Sequence, residues 1–277
     1  MNTFKYNLFN TCLHASNNNL NHFELLRNVY ERGLFQSNKN KILSKMIDLT
    51  KNINNSIKSQ LYQDVFALLM VGDNYDKTFL EFGATDGLEL SNTYLLESEF
   101  NWKGVLCEPS PQWHEVLFKN RPKTKIITDC IWKKSNEKLN FFISEVGVLS
   151  TLEDFKESDR LSMPGNTNNR IEKGNVVTVN TVSLNDLISK EFHGKCPSYI
   201  SIDTEGSEYE ILKSFEFKKY NPICFTIEHN FTNLEKYLDD LMSKNNYSRI
   251  FREITAFDGW YIRNDVLNKL EKDTSID

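Results

Sequence analysis

The chain has 277 residues, 39% of them hydrophobic, which is enough for one sizeable core with a small appendage. Its 33 Lys and Arg stand against 38 Asp and Glu, a net charge of −5, so no broad basic surface is available to neutralise nucleic-acid phosphates. No apolar run approaches the roughly 20 residues of a membrane span, and the polar, Asn-rich N-terminus lacks the basic-then-apolar pattern of a secretory leader. The five cysteines (Cys12, Cys107, Cys130, Cys196, Cys224) are scattered and form no CxxC pair. They read as reduced thiols of a cytoplasmic protein.

Along the chain, residues 1–19 read as an arm. Apolar residues at helical spacing predict helices over 22–34, 41–53 and about 60–71. This N-terminal helical extension, residues 1–72, suits either the cover of a substrate cleft or a homodimer interface. From residue 73 to 277 the texture becomes that of a second unit, in which short apolar runs alternate with helices. Strands are predicted at 78–82, 104–107, 125–131, 138–144, 175–182, 199–202 and 222–227. Helices fall between them at 88–100, 111–119, 183–189, 207–214 and 233–244. Pro111 sits where a missing N–H costs nothing, and Ser183 with Asp186 makes a short capping box. A terminal hairpin over 247–254 and 259–262 turns near Asp258 and Gly259. The alternation predicts an α/β fold, a doubly wound and mostly parallel sheet covered on both faces. Residues 147–173 break the rhythm and read as a long irregular loop over the site.

Four stretches carry chemistry. Phe79-Leu80-Glu81-Phe82-Gly83-Ala84-Thr85-Asp86-Gly87 is an apolar strand, an acid and a Gly-x-x-x-Gly turn. Glycines there admit a close ligand. The spacing is neither the G-x-G-x-x-G of a dinucleotide site nor a P-loop. A cofactor with a methionine moiety and a ribose fits better, with Glu81 accepting from its ammonium. Glu108 ends the second strand roughly 20 residues on, where a carboxylate offers two acceptors to a ribose diol. Asp203, Glu205, Glu208 and Glu210 crowd the C-terminal end of a later strand, the ligand edge of an open α/β sheet. Like charges there call for a cation. Glu228-His229-Asn230 ends the next strand. Asp203, Glu228 and His229 form a candidate divalent-metal set, Mg²⁺ or Mn²⁺. His229 is also the candidate general base, with Asp203 and Glu205 beside it.

Taken together, and with Ser59-Gln60-Leu61-Tyr62-Gln63-Asp64-Val65-Phe66, Ser91-Asn92-Thr93, Gly104-Val105-Leu106-Cys107-Glu108-Pro109 and Thr181-Val182-Ser183-Leu184, these motifs resemble the FkbM family of S-adenosylmethionine (SAM)-dependent methyltransferases over about residues 60–263. The resemblance implies a class I, Rossmann-like methyltransferase fold and O-methylation, often of sugars or polyketide-type products. By the same match Glu81, Gly83 and Gly87 line the methionine side of SAM with Ser91 and Asn92 close by. Glu108 binds the ribose, and Asp129 with Cys130 lies at the adenine. The acceptor expected is a sugar, nucleotide-linked or in surface-glycan biosynthesis. Another small natural product, a nicotinamide-dependent enzyme of similar fold, and a non-catalytic SAM-fold binding protein are the alternatives.

Overall fold

The computed structural model describes residues 39–53, 56–252 and 254–273. The expected arm, the helix over 22–34 and Cys12 lie outside the described residues. Seven strands form one sheet: β1 (Thr78–Phe82), β2 (Lys103–Cys107), β3 (Lys125–Ile127), β8 (Tyr199–Ile202), β9 (Cys224–Glu228), β10 (Tyr247–Ile250) and β11 (Asp258–Arg263). Their spatial order is β10-β11-β9-β8-β1-β2-β3. The pairs from β9 to β3 are parallel, and β11 runs antiparallel to both its neighbours. This is the expected doubly wound sheet with its antiparallel terminal strand. Strands β1, β8 and β9 are apolar and buried almost end to end, as strands covered on both faces must be.

The register sets the position of the site. Phe82 pairs with Ile202, and Ile202 with Ile227. The next residues along, Gly83, Asp203 and Glu228, therefore emerge side by side at the carboxyl edge. Strand order reverses between β1 and β8, the switch point where open α/β sheets hold ligands.

Helices α1 (Lys39–Ile53) and α2 (Gln63–Val71) pack into the same apolar cluster as β1 and β11. Phe66 stacks on Trp260 at 4.8 Å between ring centres. The described part of the N-terminal extension is thus continuous with the core on that face.

Four expectations are corrected. The single strand over 125–131 is divided: β3 belongs to the main sheet, while β4 (Cys130–Trp132) starts a second one. That second sheet, in the order β4-β7-β5-β6, takes β5 (Lys138–Ser144), β6 (Thr151–Leu152) and β7 (Gly174–Ser183). The alternating faces of β5 and β7 suit a sheet with one side in solvent. The loop over 147–173 holds single helical turns at Gly147–Leu149 and Glu153–Phe155 and a helix, Pro164–Glu172, with Pro164 at its start. The helix beginning near residue 88 starts only at Tyr94 (α3, Tyr94–Phe100), because Asp86 Oδ1 caps the amides of Leu88 and Glu89 in a turn. Asp258 and Gly259 lie within β11, not in a turn. The Ser183 cap forms as read, its Oγ accepting from the Asp186 amide at 3.1 Å. Cys107, Cys130 and Cys224 are buried thiols, and Cys196 is half-buried.

Candidate active site

A cavity of about 320 Å³ opens at the carboxyl edge. Its floor is the turn after β1. Gly83 has φ +69°, and a Cβ there would lie 2.1 Å from the Asp203 carbonyl oxygen. Only glycine lets the β1 and β8 ends come this close. Gly87 also has positive φ, but a Cβ would strike Leu117 at 2.5 Å and Arg121 at 2.7 Å. Those residues belong to α4 (Pro111–Asn120) and its C-cap. Gly87 is therefore a helix-packing glycine and does not line the cavity, contrary to its expected role.

Glu81 lines the cavity but is fully engaged. Its carboxylate accepts from the Asn92 amide at 2.6 Å and from the Ser91 and Thr93 hydroxyls. The buried guanidinium of Arg121 reaches Gly87 O (3.0 Å), Ser91 Oγ (3.3 Å), Thr93 Oγ1 (3.2 Å) and Glu97. Burial still raises the Glu81 pKa. Its structural work is to hold the 91–93 turn against the cavity, where Ser91 and Asn92 line the wall.

Glu108 receives the Thr85 amide at 2.9 Å on one oxygen and the Ser110 amide at 2.8 Å on the other. Burial pushes its pKa to about 7. Glu108 lines both the cavity and a narrow adjoining slot walled by Cys130, Ile131, Phe141 and Leu152. Cys130 is thus brought beside Glu108. Asp129 is not part of either wall, because it sits in the two-residue step between β3 and β4.

On the far wall, carboxylate oxygens of Asp203, Glu205 and Glu228 lie within 4.8 Å of one another. Burial, with the like charge of Glu208, pushes Asp203 to about 7, and burial with the charge of Asp203 holds Glu205 and Glu228 well above the usual carboxylate range. Glu205 is clasped by Arg170, a fully buried side chain from helix α5 (Pro164–Glu172). Asn230 Nδ2 also reaches Glu205, at 3.4 Å. His229 does not join this group. Its ring faces two donors, the Arg249 guanidinium at 3.0 Å and the Phe231 amide at 3.1 Å. Burial and Arg249 lower its pKa to about 4. His229 is outside the cavity wall, so it is placed neither as base nor as metal ligand.

Sequence reasoning missed several wall residues: Gln60, Trp113, Met163, Asn166 and Phe257. Gln60 stood in a quoted motif without a role. Trp113 sits in an ordinary helix and Phe257 in the turn before β11, and neither place carries a signal of its own.

The Methyltransferase FkbM domain model matches residues 81–249. The chain belongs to the FkbM methyltransferase family. Two solved structures are similar to this family member. One is a methyltransferase FkbM from Methylobacillus flagellatus KT, at 11% identity and TM-score 0.44, covering 86% of this chain. This chain spans only 57% of that one. The other is a candidate caffeoyl-CoA O-methyltransferase from Staphylococcus aureus, at 11% identity and TM-score 0.44, covering 87% of this chain and 98% of that one. At this level of similarity neither assigns a substrate. No curated protein matches the chain. Among the described residues no helix is long and apolar enough to cross a membrane.

Proposed function

We propose that this FkbM-family chain is a SAM-dependent O-methyltransferase acting on a sugar-like hydroxyl. The observation that carries the reading is Glu108, a buried carboxylate set between the left-handed Gly83 turn and an apolar slot. Glu108 offers two acceptor oxygens to a ribose diol, and the slot of Cys130, Ile131, Phe141 and Leu152 suits a flat base. SAM supplies a methyl group on a sulfonium. The chain binds it, excludes water with the 147–173 segment and aligns the acceptor. Held by Glu108 and the Gly83 turn, SAM would supply its methyl group to the acceptor oxygen, and Asp203, the wall carboxylate poised near neutrality, would take the hydroxyl proton.

Support for a sugar comes from the wall itself, which pairs carboxylates with the rings of Trp113 and Phe257. Carboxylates accept from hydroxyls, and aromatic faces cover the C–H side of a pyranose. A divalent ion is the other occupant such oxygens suggest. Arg170 already spends Glu205, however, and His229 is held by Arg249. A divalent ion here would rest on Asp203 and Glu228, with waters completing its shell, and no step here uses one. As domains, we read residues 1–72 as an extension contributing Gln60 to the cavity and 73–277 as the catalytic unit.

The test is calorimetry with S-adenosylhomocysteine, the demethylated product. The native chain binds saturably, and Glu108→Ala weakens binding by roughly 30-fold, the ~2 kcal/mol of a charged hydrogen-bond pair. Absence of heat in the native protein rejects the reading.

A further inference from the structure

The far wall of the cavity gathers three closely set carboxyl groups with few partners among the described residues. One cation touches the trio of Asp203, Glu205 and Glu228. That cation is Arg170, which divides its guanidinium between Glu205 and Asp159. Asp203 and Glu228 lie within hydrogen-bond reach of each other. Glu228 is only 8% exposed, and its Oε2 has no partner. A second orphan lies outside the cluster. Asn92, also 8% exposed, donates its amide to Ser201 at 2.9 Å and leaves Oδ1 unpartnered on the same cavity's wall. Both orphans are acceptors. Among the described residues, no Lys, Arg or His lines the cavity.

Buried acceptors left without partners, in a cavity that no cation lines among the described residues, penalise an anion and reward a donor. Phosphate or carboxylate placed here would face like charge in a medium that screens poorly. A divalent ion held by Asp203 and Glu228 would need waters to complete its shell of six or so oxygens, with Arg170 already on one oxygen of Glu205. A protonated amine has three donors, no acceptor and a single charge. It matches what Asp203, Glu228 and Asn92 leave open.

We propose that Asp203 and Glu228, with Asn92 lining the same cavity, form a subsite for a protonated amine on the acceptor. The acceptor class is then an amine-bearing polyol or sugar, not a phosphate-linked one. This rests on the methyltransferase reading above and narrows its substrate.

The test is thermal melting of the full chain with glucosamine, glucose, glucose 6-phosphate or Mg²⁺ at matched ionic strength. Each probe is run with and without S-adenosylhomocysteine. A cofactor product that fails to raise the melting temperature counts against the methyltransferase reading, while the probes alone still report on the amine subsite. The expected result is a rise of roughly 2 °C or more with glucosamine over glucose, no rise with glucose 6-phosphate, and loss of the difference in Glu228→Gln. Asp203→Asn takes its place if Glu228→Gln does not fold. Equal shifts for glucosamine and glucose overturn the proposal. So does a silent panel, a shift with glucose 6-phosphate as large as with glucosamine, or a shift confined to Mg²⁺.

Discussion

Asp64 is a fully buried carboxyl on the helix behind the cavity. It accepts from Ser59 Oγ at 2.6 Å and the Val65 amide at 2.8 Å, and its second oxygen has no partner. Burial raises its pKa from 3.8 to about 7. The folded chain therefore holds a proton that the unfolded chain gives up between about pH 4 and 7. The stability this brings is complete below about pH 4 and is lost as pH rises through 7, up to about 4 kcal/mol by linkage. Asp258, held by Gln63 at 2.8 Å and also raised to about 7, acts in the same window and direction. The ligand-free protein should melt at a higher temperature at pH 5 than at pH 8. Asp64→Asn, which keeps the acceptor, should flatten that slope mainly by raising stability at pH 8. An unchanged slope would mean that Asp64 is ionised in the fold. At this scale the sequence marks the acids well, because Glu108, Asp203 and Glu228 each end an apolar run. It misleads at His229 and Gly87, whose roles are decided by Arg249 and by Leu117 and Arg121, partners far away in the chain.

Among the elements, the 147–173 segment is the least legible. Its polar composition reads as loop, yet it folds around one side chain. Arg170 donates to Leu149 O at 2.8 Å, Lys156 O at 3.1 Å and Asp159 Oδ1 at 2.9 Å, and it pairs with Glu205. Thr151 Oγ1 and Ser158 Oγ add bonds to the carbonyls of residues 204 and 205. An internal network of this kind has no hydrophobic period to betray it. Arg170→Met would strand buried Glu205 and Asp159 and should cost roughly 3–5 kcal/mol. Arg170→Lys should rescue little, since an ammonium cannot serve four acceptors fixed around a planar fork. Limited proteolysis is the check. Cleavage within 147–173 should speed up well before the main sheet melts, and native resistance in Arg170→Met would show that the clasp is dispensable.

At the scale of the whole molecule, the alternation of strands and helices makes the parallel sheet and its ligand edge legible. The FkbM match over residues 81–249 is consistent with that reading. What alternation conceals is that the strands of residues 130–144 and 174–183 belong to a separate sheet. Periodicity reports which face of a strand is buried, not which neighbour covers it. The join between the two sheets is short, only Thr128 and Asp129 from the end of β3 to the start of β4. Glu108 stands at the end of β2 in one sheet, and across the slot Cys130, Phe141 and Leu152 stand in the other. A cofactor lying between them would act as a bolt across two plates. Its arrival should slow amide hydrogen exchange in β5 and β7 together with β2, although β5 and β7 lie outside the main sheet. Exchange that slows in β2 alone would show that the plates stay independent.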